Sequence, residues 1–277
     1  MTLDTDEIEH VAHCVEAIGD PAFPGAICDF ALRVSRAETV LLTAFFSGQK
    51  PAALHSNHTD ESDKSALRLY LDVAYLLDPF YRLFRDAGED GVVRLKDVAP
   101  DDFARSEYNR QFYKAIRLQD ECGLMLHISD DAALFFSLGV RTARRRIDAA
   151  RLNAALPIIA ALSRRHWTGL SAQRPDGSGR LAAHLEAAFD AFGSSVLSPR
   201  EAEIVRMILK GHSSKSIARA LDNSPETIKV HRKRVYAKLG VVSQGELLSL
   251  FLSALAQMPA HAAGDPLAFV DVPRRGD

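Results

Sequence analysis

Cysteine is scarce in this chain of 277 residues, with Cys14, Cys28 and Cys122 the only three. Odd in number and far apart in sequence, they exclude a disulfide framework and the paired spacing of a zinc site, and they fit a reducing cytoplasm. Long apolar runs are missing too. No uncharged stretch approaches the roughly 20 residues that a membrane span requires. The acidic opening MTLDTDEIEH lacks the basic-then-apolar layout of a signal peptide. Catalytic signatures are equally absent: there is no G-x-S-x-G, no P-loop, no H-E-x-x-H and no G-x-G-x-x-G. An enzyme therefore has no support in the sequence, and no cofactor is expected. His10-x-x-His13 and His55-x-x-His58 would each put two imidazoles on one helix face, but no cysteine accompanies either pair, and no metal is expected.

What is present describes a globular protein of two parts. Hydrophobic residues make up 47% and charged residues 25%, ordinary values for a globular chain, and the length favours two domains. Charge is unevenly shared. Of 34 basic and 36 acidic side chains, ten and five fall between residues 195 and 258, so that segment carries +5 and the remainder −7. A basic module on an acidic body is the layout of a polyanion-binding head joined to a sensory or enzymatic domain.

Residues 1–170 alternate helical and extended patterns. Ile8, Val11, Val15 and Ile18 recur at helical spacing and predict a helix over 4–18, ended by Gly19 and Pro21; a second is expected over 24–34. The pair would pack on a sheet or form a dimer seam. TVLLTAFF (39–46) reads as a buried strand, GQKP (48–51) as a turn, and 52–56 as the returning strand. A helix over 63–77 stops before Asp78-Pro79, because proline pushes the preceding residue out of the α region. A short helix ending near Gly88, an extended piece over 92–98 and further helix from Pro100 to Arg117 follow. Strands over 121–128 and 132–140 flank the turn Ser129-Asp130-Asp131, and a long helix over 144–166 contains Pro157, which predicts a kink or break.

That order of elements resembles the sensory α+β domains of the GAF and PAS superfamilies, in which an antiparallel sheet with flanking helices floors a ligand pocket. The helical excursion is rich in aromatics, and Tyr70, Tyr75, Phe80, Tyr81, Phe84, Tyr108 and Phe112 around Asp78 are the candidate ligand-binding set. Aromatics with a carboxylate can cage a cationic amine, while plain core packing explains the same residues. The identity of the signal stays open.

Residues 171–195 read as a linker with a short helix: SAQRPDGSGR, then a stripe of Leu185, Phe189 and Phe192. The basic module occupies 196–258. Ser198-Pro199-Arg200-Glu201 is a capping box with proline at the first helical position; Ile204, Val205, Ile208 and Leu209 face inward, and Gly211 sits at the C-terminal cap. Ser213 caps a second helix, Ser224 a third and Ser243 a fourth. At ~100° per residue, Ile228, Val235 and Leu239 of the third helix share one arc. Lys229, Val230 and Lys233 then face outward near its N-terminus, where a recognition helix reads base edges: lysines suit guanine, and a valine suits the thymine methyl. Ser213, Ser214, Lys215, Thr227 and Arg234 are the candidate backbone contacts, since helix N-termini, hydroxyls and cations suit phosphates. Capping alone explains Ser213 and Ser224.

The run from Leu197 to Phe251 is similar to the all-α, four-helix, helix-turn-helix domain of LuxR/FixJ-type bacterial transcription regulators. The resemblance rests on LSPRE (197–201), Gly211, Ser213, Lys215, Ile217-Ala218, Leu221, Ser224-Pro225, Thr227-Ile228-Lys229, His231, Tyr236, KLGV (238–241) and Ser243. The chain departs from it at Ser216, Asn223 and Gln244. The resemblance implies control of transcription through double-stranded DNA, as a homodimer whose contacts include the fourth helix. Leu247, Leu248, Leu250, Phe251, Leu252 and Leu255 make that helix apolar almost all round. The expected whole is a cytoplasmic, non-membrane regulator whose first domain takes a small-molecule effector. A protein-interaction module or a residual enzyme in that position is the alternative. Residues 259–277 lack periodicity and predict a disordered tail.

Overall fold

Asp4 starts the first helix, α1 (Thr5–Glu16), with a reciprocal cap: its carboxylate accepts the Glu7 amide at 2.9 Å, and the Glu7 carboxylate accepts the Asp4 amide at 2.9 Å. The computed structural model describes residues 3–86, 89–142, 144–170, 178–259 and 262–270 (of 178–182, the backbone only). Glu7 also takes a two-pronged ion pair from Arg151, at 2.6 to 2.9 Å. These bonds set the rotation of α1. Glu7 and Cys14 are buried, while Ile8 and Val15, expected inside, are 56% and 52% exposed. Helical periodicity located the helix and placed Val11 and Ile18, which pack partly on the core, but the buried Glu7–Arg151 pair turns Ile8 and Val15 outward.

After α2 (Phe23–Ser35) come β1 (Thr39–Phe46) and β2 (Gln49–Ser56). The turn between them is two residues shorter than expected, and Pro51 lies inside β2; β2 is an edge strand, where a missing amide is tolerated. The expected helix over 63–77 is divided: α3 (Glu61–Asp72) ends at Val73, whose φ is −155°, and a 3-10 turn covers Ala74–Leu77. Asp78 caps α4 (Pro79–Arg85) by accepting the Phe80 amide at 2.9 Å. The piece over 92–98 is half strand and half helical turn, β3 (Gly91–Arg94) and α5 (Leu95–Val98). A π-helical turn at Asn109–Tyr113 leads to β4 (Asp120–Ser129), β5 (Ala132–Val140) and α6 (Ala149–His166), which runs unbroken through Pro157.

The five strands form one antiparallel sheet in the order β2-β1-β5-β4-β3. All eight residues of β1 are buried because both faces of the sheet are covered, which explains its continuous apolar run. Val40, Leu42 and Ala44 meet α1, α2 and α6, together with Leu124, Leu134 and Phe136. Phe45, Met125 and Phe135 face the opposite way, onto the helical excursion. Gly123 is required there: a Cβ would stand 2.5 Å from the Phe135 ring and 2.8 Å from that of Phe80. The three cysteines are free and buried, and burial pushes the thiols of Cys14 and Cys122 up to about 12, so they stay protonated and inert.

The linker expected from 171 lies, up to 177, outside the described residues; α7 (Ser178–Ala191) follows it. Phe189 and Phe192 of this helical segment meet Phe251 edge-on at 5.4 and 5.2 Å. They join the core of α8 (Pro199–Leu209), α9 (Ser214–Ala220), α10 (Pro225–Leu239) and α11 (Gln244–Gln257). The tail departs from the expected disorder over 262–270, while 260–261 and 271–277 lie outside the described residues. Asp265 accepts the amides of Gly193 at 3.0 Å and Ser195 at 2.8 Å, and the Ser195 hydroxyl at 2.6 Å. A 3-10 turn over Pro266–Phe269 then buries Leu267 against the same core. One carboxylate and one leucine carry enough local specificity to order 262–270, which hydrophobic periodicity cannot register. Within α11, Leu247, Leu248, Phe251 and Leu255 are consumed by this core, leaving Leu250 and Leu252 half-buried.

Candidate nucleic-acid interface and buried cavity

The outward face of α10 is built by its caps and its core side. The Ser224 hydroxyl accepts the Thr227 amide at 3.0 Å, Pro225 opens the helix, and Gly240 closes it with a φ of 67°. Ile228, Val235 and Leu239 are buried, so Lys229, Val230, Lys233 and Arg234 stand on the open side, Val230 being 49% exposed. Lys229 and Lys233 line, with Ser214, Arg232 and Tyr236, a surface groove of about 580 Å³; Val230 and Arg234 lie outside it. Among the described residues the ion pairs of this module are Arg200–Glu203 at 2.9 Å and Lys238–Glu201 at 2.7 Å. Lys215, Lys229, Lys233 and Arg234 therefore have no ion-pair partner among the described residues. Thr227 is committed to the cap, with its hydroxyl 2.9 Å from that of Ser224.

The three departures from the LuxR/FixJ pattern all have partners. Asn223 Oδ1 accepts the Ser224 amide at 2.9 Å, Gln244 donates to the Ile208 carbonyl at 2.7 Å, and the Ser216 hydroxyl pairs with His212 Nδ1 at 2.9 Å. They stiffen the turns around α9 and α10.

Ser213 has a partner that its sequence does not announce. Its amide donates to Asp101 Oδ1 at 3.0 Å, and its hydroxyl donates to Asp101 Oδ2. Partial desolvation pushes the Asp101 carboxyl up, but these bonds outweigh it and hold it below the usual carboxylate range. Alongside, the Asp102 amide donates to the Gly211 carbonyl at 3.2 Å, and a Cβ on Gly211 (φ 91°) would stand 3.2 Å from Phe103 Cα. Glycine here serves the helix cap and the close approach of the first domain. The seam continues through Tyr81, which donates to Glu186, and through Arg85, 3.9 and 3.7 Å from Glu186 and Asp190.

Behind this seam, between the sheet and the helical excursion, lies a cavity of about 70 Å³. Of the aromatic set named from sequence, Tyr70, Tyr108 and Phe112 line it, together with Asp78. Tyr75, Phe80, Tyr81 and Phe84 do not. Tyr75, Tyr81, Phe84 and Phe45 pack on one another at 4.8 to 6.0 Å, and Phe80 lies 5.0 Å from Phe135. The 3-10 turn after α3 rotates these side chains away from the cavity.

The polar lining includes residues that sequence reading missed: His58, Asp63, Glu121 and Ser137. Asp78 is buried; its Oδ2 accepts the Tyr70 hydroxyl at 2.6 Å and its Oδ1 the Phe80 amide. Burial nonetheless raises its carboxyl to about 6. Burial, then the charge of Asp78, raises Glu121 to about 7 against the opposing hydroxyls of Ser137 and Tyr113. His58 is held below its ordinary value by burial, which disfavours its charged form. A signal for Glu121 was available: it alternates with Gly123 and Met125 on the face of β4 that Phe135 shares, whereas the neighbouring Asp120 lies on the other. Among the described residues no group of three or more His, Cys, Asp and Glu side chains could hold a metal ion, and no single helix is long and apolar enough to cross a membrane.

Residues 195–251 match the family described as bacterial regulatory proteins, luxR family. The chain is 32% identical over 191 residues to a protein of Aeromonas salmonicida described as an HTH-type transcriptional regulator in the exeN 3′ region, covering 66% of this chain and 96% of that protein. It is 43% identical over 58 residues to the transcriptional regulatory protein FixJ of Bradyrhizobium diazoefficiens, covering 21% of this chain and 28% of that one. Among solved structures, the LBD domain of VqsR from Pseudomonas aeruginosa shares the fold with a TM-score of 0.51 at 21% identity, over 58% of this chain and 97% of that domain. The fold likeness is thus to that domain and not specifically to GAF or PAS domains.

Proposed function

From the premise that the chain belongs to the luxR family of bacterial regulatory proteins, we propose that it is a sequence-specific, DNA-binding regulator whose first domain takes a small-molecule effector. Lys229, Val230 and Lys233 read base edges in the major groove. Ser213, Ser214, Lys215, Thr227 and Arg234 hold the phosphate backbone, and the working form is a cytoplasmic homodimer. The observation that carries the DNA reading is the open face of α10, where cations with no ion-pair partner among the described residues stand beside the groove. The effector reading is supported by the cavity holding Tyr70, Asp78, Tyr108 and Phe112, and by a fold shared with a domain named as an LBD. Tyr75, Phe80, Tyr81 and Phe84 then act by packing behind it. No observation favours the enzyme or interaction-module alternatives.

The coupling between the two sites runs through Asp101. Its carboxylate occupies the amide and hydroxyl of Ser213, donors that would otherwise meet a DNA phosphate. Phe103, two residues on, lies 5.8 Å from Tyr108 in the cavity wall. A ligand that displaces Tyr108 therefore shifts the segment carrying Asp101. A mobility-shift assay with duplex from the chain's own upstream region tests the DNA reading. Replacing Lys229 and Lys233 by glutamate should abolish specific binding with the fold intact by circular dichroism; retention of specific binding overturns the assignment of these side chains.

A further inference from the structure

The cavity in the first domain has a chemistry of its own. Three carboxylates line it, and all are withdrawn from solvent: Asp63 is 0% exposed, Glu121 4% and Asp78 5%. The guanidinium of Arg141 pairs with Asp63 Oδ2. Asp78 is held by Tyr70 and the Phe80 amide, whereas Glu121 Oε1 accepts the Ser137 hydroxyl and the Tyr113 hydroxyl stands near the same carboxylate. Among the described residues, the carboxylate oxygens Glu121 Oε2 and Asp63 Oδ1 are buried acceptors without a hydrogen-bond partner, and His58 Nε2 and the Arg141 Nε donor beside them are unpartnered too. With His58 neutral, three carboxylates are set against the one guanidinium that pairs with Asp63, and the cavity is short of positive charge. Leaving such acceptors unpaired is costly unless a bound donor completes them.

We infer that this cavity takes a small organic ammonium ion, whose N–H groups complete the free oxygens of Glu121 and Asp63 while the Tyr108, Phe112 and Phe135 rings surround its carbon. This rests on the effector reading above and names its ligand class. An ammonium supplies three donors and no acceptor, the complement of the two free carboxylate oxygens. Aromatic faces attract its charge, most strongly where water is excluded. A single water needs about 10–15 Å³ of such space, so about 70 Å³ accommodates roughly five or six non-hydrogen atoms. That size fits a short primary amine. A carboxylate ligand would meet three acids, and an uncharged alcohol would leave their charge uncompensated.

The charged groups around Glu121 fix the pH dependence. From β4 itself comes Asp120, from the loop after α3 comes Asp78, from the π turn Tyr113, and across the cavity stand His58 and Asp63, the latter paired with Arg141. Glu121 sits at about 7, so only about a tenth is ionised at pH 6 and about nine-tenths at pH 8. Ammonium binding through the ionised form should tighten about tenfold over that range.

The test is calorimetric titration and thermal shift of the full chain with n-butylammonium, 1-butanol and butyrate as probes. Binding of n-butylammonium alone, about tenfold tighter at pH 8 than at pH 6 and lost in Glu121→Gln with the unliganded fold retained, supports the proposal. Absence of n-butylammonium binding overturns it, as does equal binding of butanol, or retention in Glu121→Gln. If butanol or butyrate binds where the amine does not, the effector reading survives and the ligand class falls. If no probe binds and Phe112→Trp, which fills the cavity, leaves DNA binding unchanged, both fall.

Discussion

Removing the Asp101 carboxylate should strengthen DNA binding, against the usual result of deleting a polar contact. Asp101 makes two hydrogen bonds to Ser213, one to the amide at 3.0 Å and one to the hydroxyl. Hydrogen bonds to a charged partner contribute about 1.5–3 kcal/mol each when buried. Asp101 is exposed, so solvent screening reduces the pair to about 1–2 kcal/mol in total. A phosphate and this carboxylate compete for the same donors, so that difference appears directly in the affinity. At 1.4 kcal/mol per tenfold, Asp101→Ala should bind about 5- to 30-fold more tightly. Fluorescence anisotropy with a labelled duplex from the chain's own upstream region measures it. Asp101→Asn separates charge from contact: loss of charge alone gives a gain that shrinks with salt, since exposed charges are screened within about 10 Å at 0.1 M. Ser213→Ala is a poor substitute, because it also deletes the cap of α9, worth about 1 kcal/mol. Equal or weaker binding by a folded Asp101→Ala protein refutes the competition.

Asp265→Ala should lower the melting temperature without touching the α10 face, because three donors at Gly193 and Ser195 lose their acceptor. At about 1–3 kcal/mol for the loss, a fall of several degrees by calorimetry is expected, and an unchanged value would show that the tail is not anchored there. The cavity acids predict the pH dependence of the unliganded chain. Glu121 goes from an ordinary 4.5 to about 7 and Asp78 from 3.8 to about 6 on folding, so the folded form holds more protons. The stability they contribute is present below the unfolded values and is lost as pH rises towards 7. His58 and His212, both lowered, work in the opposite direction. The observable is therefore a difference: Glu121→Gln should gain stability over the parent as pH rises from 5 to 8, and a gain independent of pH contradicts the assignment.

Much of the architecture was legible because local signals agreed. Ser198 with Glu201, Pro225 after Ser224, and Gly211 with Gly240 mark helix ends through backbone chemistry that acts within four residues. The outward face of α10 followed from Ile228, Val235 and Leu239 alone, since their burial leaves only one side for Lys229 and Lys233. What stayed hidden involves partners distant in sequence. Glu7 turns α1 by reaching Arg151, 144 residues away, and Asp101 finds Ser213 across 112. The cavity shows the same division. The aromatics were conspicuous, yet four of the seven named pack behind it, whereas Glu121 and Asp63 entered from a strand and from a helix start. Composition can say that a pocket will be aromatic. Only the register of β4 against β5, which places Gly123 opposite Ser137 and Glu121 opposite Gly139, decides that a carboxylate points into it. The residues that give the cavity its charge are thus set by strand pairing, and the sensing chemistry is a property of the sheet more than of the aromatic helices above it.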